Sequence, residues 1–212
     1  MCADSLVAEQ LSFQIEGGGS IPTSALQLFF RPINWETAIK VVIANHYLHR
    51  SAPVSWAFGA YFEDVLLGVC TIGKPASRTL IEGVCGKEHA DKVFELNRLW
   101  MDDKAPKNSE SRFIGWVLRQ LPLSTILVSY ADTAFNHKGI VYQATNWIYT
   151  GQSIPFTDYT KDGLDHRSIP KAERDKSKLD KVQRSRKNRY VYFTNPKDRQ
   201  FLKWKVMNME GI

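Results

Sequence analysis

The 212-residue sequence predicts a mixed α/β fold arranged around a single sheet. Three observations point there. Between residues 95 and 151 the chain reads as strand, loop, helix, strand, loop, helix, strand. Upstream of that stretch a helix, a hairpin and a third strand follow one another. A hydrophobic content of 43% with 12% aromatics describes a packed globule, long enough for one α/β or α+β domain with a full core.

The elements follow in chain order. Residues 1 to about 20 close on Gly17, Gly18, Gly19 and Ser20 with weak periodicity, and read as a loosely attached arm. Residues 26–31 form a first strand. Asn34 is placed to cap a helix over 35–45, whose apolar stripe runs Trp35, Ala38, Ile39, Val42, Ile43. Two β-prone runs, 54–62 and 65–72, meet across Glu63 and Asp64 as a hairpin. Residues 77–86 are harder to assign, though Gly83 and Gly86 suggest turns, and 87–92 suits a short helix. A β-rich run covers 93–101, helical spacing (Phe113, Trp116, Val117, Leu121) covers 109–121, and a short apolar strand covers 125–131. A second helix is expected to begin at His137 behind an Asn136 cap and to carry Tyr142. A last strand of this stretch ends at Gly151. Beyond it, 153–163 is polar and turn-rich, and 171–183 is charged enough to be an exposed helix or a mobile loop. RSRKNRYVYF (184–193) then turns from basic to aromatic and β-prone.

Charge is unevenly placed. Residues 1–160 hold 13 Lys and Arg against 15 Asp and Glu, a balance of −2, while 161–212 hold 15 against 7, a balance of +8. That asymmetry points to a polyanionic partner, most simply nucleic acid. Arg184, Arg186, Lys187 and Arg189 are the candidate phosphate contacts, joined by Tyr190, with Tyr192 and Phe193 anchoring the run as a strand. A solvated edge strand is the plainer reading of the same run. No apolar run approaches the roughly 20 residues of a membrane span, so no membrane partner is expected. The opening MCADSLVAEQ lacks a basic region followed by an apolar one, and three cysteines without CxxC spacing suggest neither a disulfide framework nor a zinc site. A cytoplasmic protein is the expectation.

Polar groups gather at the ends of the central elements, where α/β folds place their sites. Arg98 lies within a strand, where arginine is rare unless paired or facing a cleft; it is placed to hold a carboxylate or phosphate, or to pair with Glu95 or Asp132. Ser109 and Ser111 open the first central helix, Ser111 either bonding a ligand or capping the helix begun near Asn108. Asp132 closes the following strand. His137 suits a general base near neutral pH, or is an ordinary surface histidine.

HYL (46–48), ELNRLW (95–100), KNSESRFIGW (107–116), YAD (130–132), HKGIVYQATNWIYTG (137–151) and RKNRYVYF (186–193), in this order and spacing, resemble the Mom proteins of Mu-type bacteriophages. The resemblance covers most of the chain from about residue 40. It implies a single GNAT-like domain with a mixed central sheet flanked by helices. Residues 1–25 would then form an arm, 26–160 the catalytic domain, and 161–212 a basic element packed on it. It further implies an enzyme converting adenine in double-stranded DNA to N6-carbamoylmethyladenine, which shields phage DNA from host restriction in the host cytoplasm. Iron is implied as well, with His46, Tyr47, Asp132 and Tyr142 carried over as its ligands and Arg98, Ser111, Asp132 and Tyr142 as catalytic residues. One nitrogen and three oxygen donors suit iron better than zinc. The carbamoylmethyl donor is left unidentified and a homodimer is left open.

GNAT enzymes hold the pyrophosphate of acetyl-CoA on a glycine-rich turn at the helix after the fourth strand. Here that place reads KAPKNSESRFIGW, with no glycine before Gly115, so ordinary acetyl-CoA binding is not expected. Lys107, Asn108 and Ser109 at the helix N-terminus remain candidates for some other anion. The second GNAT signature, a tyrosine followed by Gly-Phe, is echoed by Tyr142, Asn146 and Trp147. The alternative functions are an acyltransferase acting on a small amine or a protein amine, and a DNA-binding protein without catalysis.

Overall fold

The structure, a computed structural model, describes residues 20–161, 164, 165 and 169–209. Most of the expected arm lies outside them. The chain enters through a 3-10 turn at Ala25–Gln27, where Ser24 Oγ accepts from the Leu26 N–H and the Gln27 side chain accepts from the Ser24 N–H. That capped turn displaces the start of the first strand, β1, to Phe29–Pro32. Helix α1 is Trp35–Asn45, opened by Asn34 Oδ1 accepting from the Glu36 N–H at 2.7 Å. Its buried stripe is Ala38, Val41 and Val42; Trp35 and Ile43, expected in that stripe, are exposed. Only a narrow strip of α1 meets the sheet, against Ala57 and Val69.

Strands β2 (Trp56–Phe62) and β3 (Val65–Gly73) form the expected hairpin, with Glu63 at φ +50° in its turn. Residues 77–86 hold a helix, α2 (Arg78–Cys85), begun by Ser77 Oγ accepting from the Leu80 N–H and burying Val84 and Cys85. A 3-10 turn at Lys87–Lys92 leads into β4 (Val93–Met101). Helix α3 (Ser109–Gln120) and β5 (Ile126–Asp132) follow. The expected second helix is cut to a 3-10 turn at Thr133–Phe135 and one α-turn, α4 (Ile140–Gln143). Asn136 at φ +55° and Gly139 at φ +73° interrupt the helical path, so Asn136 closes the 3-10 turn as its C-cap instead of opening a helix, and His137 lies in the connecting turn.

Strand β6 is Ile148–Gln152. The stretches expected as turns and as an exposed helix or mobile loop instead supply a second, three-stranded sheet: β7 (Phe156–Lys161), β8 (Leu164–Asp165) and β9 (Asp180–Arg184), in the order β8-β7-β9. Between β8 and β9 the helical tendency of 171–183 survives only as 3-10 turns at Lys171–Glu173 and Lys176–Lys178. Strand β10 (Lys187–Phe193) is no edge strand. It lies between β5 and β6, antiparallel to both, in a seven-stranded sheet of order β1-β2-β3-β4-β5-β10-β6.

Alternation along the strands divides the core between the two faces of that sheet. Phe58, Cys70, Leu127 and Tyr190 pack with Phe113, Ile114 and Val117 of α3 on one face. Val128, Val191 and Phe193 pack with Val84 and Cys85 of α2 on the other, where Val69 also meets α1. Each fully buried aliphatic of this kind contributes on the order of 2 kcal/mol.

One irregularity positions the site. Strand β4 pairs in parallel with β5 only from Val93 opposite Ile126 to Glu95 opposite Val128. Beyond Glu95 the β3–β4 register shifts, with Leu96 opposite Ile72 but Arg98 opposite Thr71, so Asn97 is an extra residue. The bulge is held by Thr71 Oγ1 donating to Asn97 Oδ1 (2.7 Å) and by Asn97 Nδ2 donating to the Pro53 carbonyl (2.8 Å). Past it β4 and β5 diverge and a cleft opens between them. Among the described residues no helix is long and apolar enough to cross a membrane.

Candidate active site

The cleft measures about 1950 Å³ and is lined by the outer half of β4, by Ser129, Tyr130 and Ala131 of β5, and by the end of α1. His46, Tyr47, Arg98, His137 and Tyr142 all line it, from three separate stretches of the chain. Lys187, expected as a phosphate contact, lines it too.

The bulge at Asn97 sets the direction of Arg98. Its guanidinium donates to the carbonyls of Asn97 (2.6 Å), Arg50 (3.2 Å) and Ser51 (3.3 Å), which ties the segment after HYL to β4. Tyr142 is buried, its hydroxyl 2.8 Å from Ser129 Oγ, which is itself 2.8 Å from the Leu96 carbonyl oxygen. The carbonyl can only accept, so Ser129 donates to it and Tyr142 donates to Ser129. Burial pushes the Tyr142 phenol far above its ordinary range, so it keeps its proton. Ser129, a lone hydroxyl in the apolar run ILVSYA, was a signal the sequence offered and the candidate set omitted.

His46 is buried and its Nδ1 accepts the Leu48 N–H at 3.1 Å. Burial first, then the charges of Arg98, His137 and His49, lower its pKa to about 4. The ring is therefore neutral near pH 7 with its proton on Nε2. Tyr47 stacks on His46 at 4.3 Å between centroids, and Phe135 packs on Tyr47 at 4.4 Å. Burial raises the Tyr47 phenol, aided by Asp132 and opposed by Arg98.

Asp132 ends β5 and does not line the cleft. Its Oδ1 accepts from Ser185 Oγ (2.5 Å) and from the Ala134 N–H (3.1 Å), and Oδ2 pairs with Lys187 Nζ at 3.0 Å. Burial opposes the charge, but the hydrogen bonds from Ser185, Lys187 and Ala134 outweigh it and hold the carboxyl below its ordinary value. Asp132 reaches the cleft through Lys187.

Ser111, Lys107 and Asn108 are apart from this cleft. They line a separate hollow of about 500 Å³ beneath residues 23–26. Ser111 Oγ donates to the Asn108 carbonyl at 3.1 Å, so it caps no helix N–H. Ser109 is fully buried, its hydroxyl donating to the Pro106 carbonyl at 2.6 Å, so the anion contact expected of that side chain is corrected. Residues 23–28 cross the start of α3, held by Arg112 donating to the carbonyls of Ala25 (2.9 Å) and Leu28 (2.7 Å).

The basic run is also redistributed. Tyr190 is fully buried, its hydroxyl donating to the Lys138 carbonyl at 2.7 Å, which corrects the expectation of a DNA contact there. Arg189 lies over the Trp204 ring at 3.8 Å and donates to Thr150, and Arg184 pairs with Asp158. Arg186 remains an exposed cation of the run.

An iron site does not fit these donors as they are arranged. The His46 Nδ1 lone pair takes the Leu48 N–H and Nε2 carries a proton, Tyr142 is a hydrogen-bonded phenol, and both Asp132 oxygens are engaged. Among the described residues no group of three or more His, Cys, Asp and Glu is placed to hold a metal ion.

The sheet with its splayed central pair defines the class, a GNAT-like fold. A putative acetyltransferase of Salmonella typhimurium, solved with its cofactor acetyl-CoA, superposes with a TM-score of 0.50 at 8% identity, over 80% of this chain and 95% of its own. The chain belongs to the Mom protein family, whose model matches residues 27–210. It is 27% identical to the methylcarbamoylase Mom of Escherichia phage Mu, over 93% of this chain and 86% of that protein.

Proposed function

We propose that the protein is a transferase converting adenine in double-stranded DNA to N6-carbamoylmethyladenine, a modification that shields DNA from restriction. The observation that carries this reading is the cleft between the diverging β4 and β5, with an aromatic rim of His46, Tyr47 and His137. Family membership over nearly the whole chain and the name of the phage Mu relative support it.

Adenine N6 is a weak nucleophile because its lone pair is delocalised into the ring. Bond formation from N6 to the methylene carbon of the incoming group therefore has to be coupled to loss of an N6 proton. His46 is neutral with Nδ1 occupied, so it serves as a fixed N–H donor, not as the base. His137, whose ring meets Tyr47 edge-on at 5.5 Å, is the imidazole in the cleft left to take that proton. Arg98 supplies fixed positive charge beside the bulge for an anionic part of the donor. Tyr142 and Ser129 donate inward, toward the Leu96 carbonyl, so this pair fixes the cleft floor and holds β5 to the outer half of β4 beneath the reacting groups. Lys107, Asn108 and Ser111 line the separate hollow and would touch only a distal part of the donor. Of the four donors the family resemblance implies for iron, His46, Asp132 and Tyr142 are engaged in hydrogen bonds or an ion pair, and no step is routed through iron.

The acyltransferase alternative is disfavoured at the start of α3, where residues 23–28 lie in place of an open glycine turn. The test is direct. Expression in a bacterium, digestion of its DNA and mass measurement of the nucleosides should give an adenine nucleoside heavier by one carbamoylmethyl group. Unaltered adenine from cells containing folded protein would overturn the reading.

A further inference from the structure

Adenine N6 is inside the duplex, so a cleft that acts on it requires the base to be turned out of the stack, and the vacated space must be filled. We propose that Phe135 is the wedge that enters DNA and fills that space. The inference rests on the function proposed above and extends it to the step that delivers the base.

Phe135 is 49% exposed, an unusual state for a phenylalanine. It sits on the short turn that follows β5, directly beside the cleft lined by its neighbours Asn136, His137 and Lys138. It is braced from the cleft side by Tyr47 at 4.4 Å and by His137 at 6.0 Å.

A wedge has to be rigid, and this turn is pinned along its length. Thr133 Oγ1 donates to the Arg186 carbonyl at 2.6 Å, the Ala134 N–H to Asp132 Oδ1 at 3.1 Å, and the His137 N–H to the Asp132 carbonyl at 3.2 Å. At its far end the Lys138 carbonyl accepts from the Tyr190 hydroxyl at 2.7 Å and from Gln143 Nε2 at 3.2 Å. Two exposed cationic side chains belong to this neighbourhood, Lys138 on the same turn and Arg186, whose carbonyl the turn's Thr133 bonds, and they suit phosphates near an opened step. Asp132 thereby gains a purpose that its place off the cleft lining left open: it holds Lys187 and the base of the wedge turn together.

The test uses the full chain on duplex DNA and needs no donor. Permanganate oxidises thymines that have lost their stacking, so it marks those left opposite extruded adenines. The wild-type protein should make such thymines hyperreactive. Phe135→Ala should return them to the level of free duplex and lower the yield of modified adenine in expressing cells about tenfold, a loss on the scale of one stacking contact. Phe135→Leu, which keeps an apolar wedge but loses the ring packing on Tyr47, should restore both readings. Equal hyperreactivity in wild type and Phe135→Ala overturns the proposal. So does failure of Phe135→Leu to restore it, since a residue needed only to support Tyr47 would behave that way. A wild-type protein that modifies adenine without hyperreactive thymines overturns the wedge and leaves the function standing; absence of modified adenine in wild-type cells overturns the function itself.

Discussion

Asp132 keeps its charge while buried because three donors converge on it, from Ser185, Lys187 and the Ala134 N–H. Its folded pKa lies below the ordinary 3.8, so the unfolded chain binds the proton more tightly. The stability it contributes is therefore complete above about pH 4 and is lost as pH falls through the depressed folded value. Asp132→Asn should cost about 2 kcal/mol at pH 7, the worth of hydrogen bonds to a charged group. It should also lose less on acidification below pH 3.8 than the wild type does; urea midpoints at pH 7 and pH 3 check both. Asp132 as a polar group at a strand end was legible in the sequence, but its partner was not. Lys187 is far along the chain and is brought opposite Asp132 only by the antiparallel β5–β10 register. For the same reason a lysine expected to meet phosphate turns out to neutralise a carboxylate at the rim of the cleft.

At the scale of elements, strong periodicity was legible and the rest was not. The α1 cap at Asn34, the β2–β3 hairpin and the span of β4 follow from local patterns that the fold respects. Helix α2 escaped notice because Gly83 breaks its period and it buries little beyond Val84 and Cys85. The second sheet escaped because β7 and β9 expose polar side chains on both faces, so no alternation marks them. The divergence of β4 and β5 depends on a one-residue bulge, which no composition records. Gly139 is where local and global demands meet. It holds φ +73°, and a Cβ there would lie 2.5 Å from the Tyr190 ring, whose hydroxyl fixes the adjoining carbonyl. Gly139→Ala should cost about 3 kcal/mol, from left-handed backbone strain plus overpacking. Gly115→Ala, in α3 with its nearest neighbour at 3.8 Å, should instead gain about 0.5 kcal/mol from helix propensity. Urea midpoints of the two variants, moving in opposite directions, check the contrast.

Across the whole molecule, a charge balance of +8 in residues 161–212 does not by itself make a phosphate-binding face. Folding distributes the run RSRKNRY between the core and the surface. Tyr190 is interior, Arg189 is stacked on Trp204 and bonded to Thr150, and Lys187 answers Asp132, while Arg186 stays exposed at the root of the wedge turn. Salt dependence separates these fates, because each phosphate contact releases counterions and adds about 0.9 to the slope of log affinity against log salt. Arg186→Gln should lower that slope by about one and lower stability by no more than about 0.5 kcal/mol, since its bond to the Ser153 carbonyl is exposed. Arg189→Gln should leave the slope unchanged but cost about 1 to 2 kcal/mol of stability through its lost cation–π and hydrogen-bond contacts. DNA binding titrated at several salt concentrations, beside urea unfolding of the same preparations, distinguishes the two. If Arg189→Gln took the larger share of the slope, the DNA path would have to run over the Trp204 side of β10, away from the cleft mouth where Phe135 stands.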